Sequence, residues 1–263
     1  MTTSIRPSIR VFLALLSLMS ASAFAADDSF VGNWKLNPDK SQFNGLEYKI
    51  EDAGGGQYRF IFGDDVETMT LDGKAHATKY GDTWSIKATG PNSWESTNKR
   101  DGKVTATSKW TISEDGQTFT TMDENMRPDG STGKTESTLK RTEGSSGLVG
   151  TWESSSVKVM SPLPIEIKKW QTEGYTLTNP AYKQHLHFKL DGKNYTPTGP
   201  RVPKGLSASA KKIDDRNIEL TYKLKDKTIE TDRWEVSEDG KTLTQTVNYS
   251  GVSKPEVDVY ERE

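Results

Sequence analysis

The sequence predicts an all-β protein that consists of two tandem antiparallel up-and-down β-barrels. Three observations predict this fold: an internal repeat, short strands of alternating polarity, and Asp-Gly turns between them. Each copy has room for about eight to ten short strands, and closing such a sheet into a barrel removes its exposed edges. A pair of β-sandwiches is the alternative architecture.

The chain repeats four motifs in the same order, about 120 residues apart. In chain order the pairs are FVGNW and LVGTW, LDGKAHAT and LDGKNYTP, KWTISEDGQTFT and RWEVSEDGKTLT, and TLKRTE and VYERE. Ordered matches at nearly one spacing indicate a tandem duplication. We therefore expect one barrel in residues 26–143 and a second in residues 144–263, with a short Gly/Ser linker at about residues 144–147.

Strand patterns dominate both copies. QYRFIF places Tyr58, Phe60 and Phe62 on one face, and KVTATSKWTI places Trp110 and Ile112 on one face. Side chains alternate across a strand, so these segments predict half-buried antiparallel strands. The Asp-Gly pairs between such segments are strong hairpin signals.

The first 25 residues have the features of a secretory signal peptide. Arg6 and Arg10 precede an apolar run over residues 11–19, and Ala23 and Ala25 form a small-x-small cleavage site. The run is too short to span a bilayer, and no later stretch reaches that length, so we expect no membrane span. The predicted location is periplasmic or secreted.

Composition excludes several function classes. The chain has no cysteine, which excludes disulfides, thiol chemistry and thiolate metal sites. Its net charge is −2 with both signs mixed along the chain, which argues against a nucleic-acid partner. No nucleophile elbow, phosphate loop or zinc-protease motif is present. The sequence therefore predicts no cofactor, no metal and no catalytic residue.

The Gly-x-Trp motif that opens each copy resembles the first strand of the lipocalin and fatty-acid-binding (calycin) superfamily. The whole chain resembles the tandem lipocalin-like proteins that bacteria export. The resemblance implies that the Trp closes the barrel floor and that an Arg from the last strand lies across it. We therefore expect Trp34 beneath Arg141 in one barrel and Trp152 beneath Arg262 in the other. The terminal DVY segment lacks the Arg-x-Tyr that grips a fatty-acid carboxylate, so the resemblance does not extend to that ligand.

Aromatic residues of the first copy are the best candidates for ligand contact. A barrel of this size has room for one small ligand, and such sites are mainly apolar. Filling of a solid core is the alternative role for these rings. The predicted ligand-binding residues are Tyr58, Phe60, Phe62, Trp84, Trp94 and Trp110.

Four polar residues of the second copy are further candidates. Glu230 and Asp232 share a strand face with Trp234, which favours a cation site or acid–base groups inside the barrel; a bulge or a wet barrel mouth is the alternative. His185 and His187 lie two residues apart, so they share one strand face. That face is either a polar pair inside the barrel or the outer surface, and no third metal ligand can be named.

Three functions remain open. The first is an exported binding protein that holds a small hydrophobic or amphipathic molecule in a barrel cavity. The second is a barrel enzyme of isomerase, cyclase or lyase type that uses the inward acids. The third is a non-catalytic envelope protein that meets another protein through its outer surface. Fold class alone does not decide among them.

Overall fold

A computed structural model describes residues 28–263 of the chain. The predicted signal peptide, residues 1–25, lies outside the described residues. Within residues 28–263 all regular structure is β-strand, arranged in two antiparallel sheets. The strands are β1 (Gly32–Leu36), β2 (Glu47–Gly54), β3 (Gln57–Phe62), β4 (Asp65–Thr70), β5 (His76–Ala77), β6 (Thr83–Gly90), β7 (Ser93–Arg100), β8 (Lys103–Ile112), β9 (Thr118–Met126), β10 (Thr132–Glu143), β11 (Gly150–Val159), β12 (Pro164–Trp170), β13 (Gly174–Asn179), β14 (Gln184–Lys189), β15 (Leu206–Lys212), β16 (Asn217–Leu224), β17 (Lys227–Val236), β18 (Thr242–Tyr249) and β19 (Glu256–Arg262).

The two sheets are nearly closed barrels, as the sequence predicts. The first barrel has the strand order β4-β3-β2-β11-β10-β9-β8-β7-β6-β5, and the second has β14-β13-β12-β1-β19-β18-β17-β16-β15. In the first barrel the gap lies between the edge strands β4 and β5, and it narrows where Gly73 N, just after β4, donates to Ile86 O of β6 at 2.9 Å. In the second, Tyr195 and Ala208 exchange backbone hydrogen bonds of 2.7 and 2.8 Å. The strand orders and the hydrogen bonds across both gaps show that each sheet nearly closes on itself. This closure confirms the tandem barrels and excludes the β-sandwich alternative.

The repeated SEDG sequence forms the same tight turn in both barrels. Gly116 and Gly240 have φ angles of 72° and 68°, in the left-handed region that favours glycine. The preceding Asp115 accepts a hydrogen bond from Gln117 N at 2.9 Å, and Asp239 accepts one from Lys241 N at 3.1 Å. The turn residues therefore explain both hairpins, β8–β9 and β17–β18.

The barrels exchange their first strands. β1, from the first copy, pairs with β12 and β19 of the second barrel. β11, from the second copy, pairs with β10 and β2 of the first barrel. Each sheet therefore crosses the copy boundary that the repeat predicts, and each contains one strand of the other copy.

The connection between β10 and β11 explains the exchange. Only residues 144–149 separate these strands, and a short connection makes antiparallel neighbours in one sheet. Gly144 and Gly147 take left-handed φ angles of 91° and 61°, and Arg141 donates to Gly147 O at 2.6 Å. The Gly/Ser segment is therefore a hairpin turn and not the interdomain linker that the sequence suggested. β11 fills the place that β1 would take, and β1 completes the second barrel.

The predicted Trp–Arg pairs are correct in kind but wrong in partner. Arg262 lies over Trp34, with its Cζ 4.1 Å from the ring centroid, and Arg141 lies over Trp152 at 3.9 Å. Both indoles are fully buried. The strand exchange is the reason, because it moves each Trp beside the last strand of the other copy.

Both floors use the same hydrogen bonds. Trp34 Nε1 donates to Phe30 O and Trp152 Nε1 donates to Leu148 O, each at 2.9 Å. Arg262 Nε donates to the carbonyl of the second SEDG glycine, and Arg141 Nε donates to the carbonyl of the first. Each guanidinium therefore links the Trp of a first strand to the SEDG turn of the same barrel.

Two hairpin turns form one of the contacts between the barrels, and Asp129 N, which donates to Ala181 O at 3.1 Å, forms another. Asp64 N donates to Ser250 O at 2.9 Å, and Ser250 Oγ donates to Asp64 Oδ2 at 2.8 Å. The rings of Phe62 and Tyr249 meet edge to face at 5.3 Å beside these turns. Residues 37–46 and residues 160–163 carry the chain from one barrel to the other.

Candidate functional site

The first barrel contains an aromatic cavity of about 370 Å³. This volume falls within the range of about 300–1,000 Å³ that is typical of small-molecule sites. Four of the six predicted aromatic residues line it: Phe60, Phe62, Trp84 and Trp110. The strand alternation explains their placement, because β3 directs Phe60 and Phe62 to the same face of the sheet.

The other two predicted residues have different positions. Trp94 is buried in the barrel core as the cross-strand neighbour of Trp110, and it does not line the cavity. Tyr58 is partly buried and packs against the same core. Tyr48 and Phe119 also line the cavity, although they were not among the predicted residues. Phe119 follows the first SEDG turn on β9, and Tyr48 alternates with Ile50 on β2, so both could have been found from strand periodicity.

The cavity wall is a series of rings in contact. Phe60 lies 5.1 Å from Trp84 and 6.0 Å from Trp110, measured between centroids. The ring centroid of Phe119 lies 5.8 Å from that of Trp110 and 5.2 Å from that of the floor residue Trp152. Aromatic rings at these separations contribute about 0.5–1.5 kcal/mol per pair beyond the area that they bury. The wall is therefore a preformed apolar surface.

Polar and charged side chains also line the cavity, among them Lys49, Asp65 and Glu67. Trp110 Nε1 donates to Ser108 Oγ at 2.8 Å, and Thr121 Oγ1 donates to Asp123 Oδ2 at 2.8 Å. Trp84 differs from Trp110, because its buried Nε1 has no hydrogen-bond partner within residues 28–263. A buried donor without an acceptor costs about 1–3 kcal/mol. An acceptor atom on a bound molecule would remove that cost.

The second barrel contains a smaller cavity of about 250 Å³ with an acidic wall. Glu230 and Asp232 of β17 line it together with Trp234. Asp232 is only 4% exposed, and its Oδ2 accepts a 3.4 Å hydrogen bond from Trp234 Nε1. Both carboxyls therefore lie on the inner face, as the strand alternation indicates.

Two further carboxyls join this pair from β19. Val247 of β18 pairs with Asp232 of β17 on one side and with Glu256 of β19 on the other. Asp258 follows Glu256 on the same face of β19, and Tyr260 follows Asp258. The sequence analysis missed Glu256 and Asp258. Their two-residue spacing toward the floor residue Arg262 is the signal that places them inside the barrel.

Burial raises the pKa of every carboxyl in this cluster. Burial, followed by the charges of Asp258 and Glu230, raises the pKa of Glu256 to about 7. Burial and the charge of Glu230 raise the pKa of Asp258 to about 6. Burial and the charge of Glu230 also raise the pKa of Asp232, and burial raises that of Glu230. The cluster therefore holds protons near neutral pH.

The two histidines face outward. His185 and His187 are exposed, whereas the alternating Leu186 and Phe188 are buried in the core of the second barrel. The ring of His187 stacks on Trp170 at 5.3 Å. Within residues 28–263 no group of three or more acidic or histidine side chains is arranged to hold a metal ion.

A comparison of the sequence with protein-family models and with curated proteins finds no match. In the described part of the chain, no helix has the length and apolar character of a membrane span. The fold therefore defines a chain of two strand-exchanged β-barrels, each with a small interior cavity.

Proposed function

We propose that this chain is an exported binding protein whose first barrel holds a small amphipathic molecule. The observation that carries the proposal is the aromatic cavity, in which the buried Trp84 N–H lacks an acceptor. Apolar rings favour burial of a hydrophobic body, and the indole donor favours at least one acceptor atom on the ligand. The predicted signal peptide and the lipocalin-like Gly-x-Trp floors are consistent with this function.

A cavity-filling substitution tests this proposal on the full mature chain. Ser137 lines the cavity on β10, and Thr138 is its neighbour on the same strand, so the two side chains point to opposite faces. We expect Ser137→Phe to weaken binding of an apolar environment-sensitive dye at least about tenfold, because the new ring occupies the site. Thr138→Phe is the matched control and leaves dye binding unchanged.

The dye measurement is paired with thermal unfolding of both variants. If the Ser137→Phe variant unfolds at the same temperature as the parent chain but does not bind the dye, the result supports an interior site. Equal dye binding by the parent chain and both variants places the dye on the outer surface. That result would contradict the proposed cavity.

A further inference from the structure

The acidic cluster of the second barrel consists of Glu230 and Asp232 on β17 and of Glu256 and Asp258 on β19. The nearest lysine along β17, Lys227, pairs with Asp64 at 3.4 Å. The charged groups that raise the pKa values of Glu256 and Asp258 are other carboxyls of the cluster. The interior of this barrel therefore collects carboxyls that become negatively charged only as the pH rises through their raised pKa values.

One of these carboxyls lacks a hydrogen-bond partner for an oxygen. Asp232 is only 4% exposed, and within residues 28–263 its Oδ1 has no hydrogen-bond donor other than the neighbouring Glu230 carboxyl when that group is protonated. Asp258 Oδ1 is also buried without a partner. A buried polar atom without a partner is rare in a folded protein, and an absent ligand is one of its causes. Asp232 lines the cavity, so a bound donor could reach it.

The rest of the cavity favours an organic cation over a metal ion. Tyr222, Trp234 and Tyr260 line the same space as Glu230 and Asp232. Aromatic faces attract ammonium groups through their quadrupoles, whereas a hard metal ion needs several converging oxygens. No such convergence occurs within residues 28–263. Pro197 and Val202, from the segment between β14 and β15, complete the wall.

We propose that the second barrel binds a small organic ammonium ion, with the cation held by Asp232 and Glu230 against the rings of Tyr222 and Trp234. The ligand donates hydrogen bonds to the carboxylates, and its carbon skeleton packs on the aromatic wall. This site is separate from the aromatic cavity of the first barrel. It does not depend on the function proposed for that cavity.

Binding of the cation releases protons from the cluster. An ammonium ion favours ionised carboxylates, so occupancy lowers the pKa values that burial raises in the empty site. The titratable groups that face the cluster are Tyr222 of β16, Glu230 and Asp232 of β17, Tyr249 of β18, Glu256, Asp258 and Tyr260 of β19, and Tyr48 of β2. His185 of β14 borders the cavity, but its side chain is exposed on the outer face. The tyrosine pKa values are raised, so the carboxyls titrate first as pH rises.

Calorimetric titration of the full mature chain with benzylammonium tests this site. We expect affinity to increase between about pH 5.5 and about pH 8, and the heat to depend on the buffer because protons are released. Benzyl alcohol, the neutral analogue of similar shape, should not bind measurably. Binding of both compounds with equal affinity would show an apolar pocket only and would overturn the proposal.

Two variants separate the site from the rest of the barrel. Asp232→Asn removes the buried charge at nearly constant size and should weaken benzylammonium binding at least about tenfold. Glu235→Gln changes an exposed carboxyl on the same strand and should leave binding unchanged. Glu230→Gln provides a second test if the Asn variant does not fold.

Three results would contradict the inference. One is failure of the parent chain to bind benzylammonium at about pH 8. Another is retention of full affinity by both charge-removing variants. The third is displacement of benzylammonium by Mg²⁺ or Ca²⁺ at lower concentration, which would assign the carboxyls to a metal ion instead.

Discussion

The guanidinium of Arg262 lies 4.1 Å above the indole of Trp34, although almost the whole described chain separates the two residues. The contact joins β19 to β1, which lie side by side in the second barrel. The same contact between Arg141 and Trp152 joins β10 to β11 in the first barrel. These contacts make the strand exchange a feature of both barrel floors.

We expect Trp34→Ala to lower the free energy of unfolding by about 3–5 kcal/mol, the usual range for a buried large aromatic residue. Hydrogen exchange should increase in β12 and β19, the two strands that pair with β1. Trp170→Ala is the control: Trp170 is only partly buried, so its removal should lower the free energy of unfolding by less. Increased exchange in β2 and β10 instead would contradict the exchange of first strands.

Engineered disulfides test the exchange directly, because the chain has no cysteine of its own. Asn33 and Glu166 lie opposite each other on β1 and β12. Opposed residues of neighbouring antiparallel strands lie within the Cα separation that a disulfide needs. The double variant Asn33→Cys/Glu166→Cys should therefore form an intramolecular disulfide, detected by intact mass and by mobility on a non-reducing gel.

The matched control uses the repeat itself. Thr151 is the counterpart of Asn33 in the second copy, and it pairs with Lys49 in the first barrel. A chain with unexchanged strands would place residue 151 opposite Glu166. Disulfide formation in Thr151→Cys/Glu166→Cys, and not in the first double variant, would show that each copy closes its own barrel.

Strand alternation and the repeat were enough to predict two β-barrels, but not which first strand belongs to which barrel. FVGNW and LVGTW carry the same floor residues, so side-chain pattern cannot distinguish β1 from β11. The distinction lies in the connection over residues 144–149, which is short enough to be a hairpin turn. Its glycines and serines are equally typical of a flexible linker, and only the pairing of the strands separates the two.

The sequence predicted the candidate sites only in part, as it predicted the fold only in part. Alternation correctly directs Phe60 and Asp232 toward the barrel interiors, since each side chain's face follows from its position on the strand. It does not distinguish Trp94 from Trp110, which are cross-strand neighbours in the same interior. Whether a ring lines a space or fills it depends on every neighbouring side chain, and that information is not local in sequence.

The glycine of each Gly-x-Trp motif gives another prediction. A Cβ on Gly150 would lie 2.5 Å from both Arg141 Nη1 and the backbone oxygen of Glu143, and a Cβ on Gly32 would collide with Arg262 Nη1. We expect Gly150→Ala to lower the free energy of unfolding by about 1–3 kcal/mol, as for other overpacked sites. Gly54→Ala is the control for backbone strain alone, because Gly54 also has a positive φ, at 80°, while a Cβ there meets no atom within 4 Å. If chemical denaturation showed that both substitutions lower the free energy of unfolding equally, close contact with the Arg141 guanidinium would not explain the glycine at position 150.

The acidic cluster predicts an unusual dependence of stability on pH. The pKa of Glu256 is about 7 in the folded chain against an ordinary value of 4.5, so the folded state binds more protons than the unfolded state between these values. The free energy of unfolding then falls as pH rises through this window. Below about pH 4.5 both states hold the proton, and the contribution no longer changes with pH.

We expect the ligand-free mature chain to lose on the order of 2 kcal/mol between about pH 5 and about pH 8, from a pKa shift of this size. Glu256→Gln should make the decline smaller, because its side chain remains neutral throughout while Asp258 and the carboxyls of β17 still titrate. Glu261→Gln is the matched control on β19: there a hydrogen bond from Lys40 lowers the pKa of Glu261, so removing this carboxyl leaves the decline in place. Denaturation at several pH values measures all three chains. Stability that rises with pH in the parent chain would mean that the carboxyls of β17 and β19 are ionised and stabilised in the folded state.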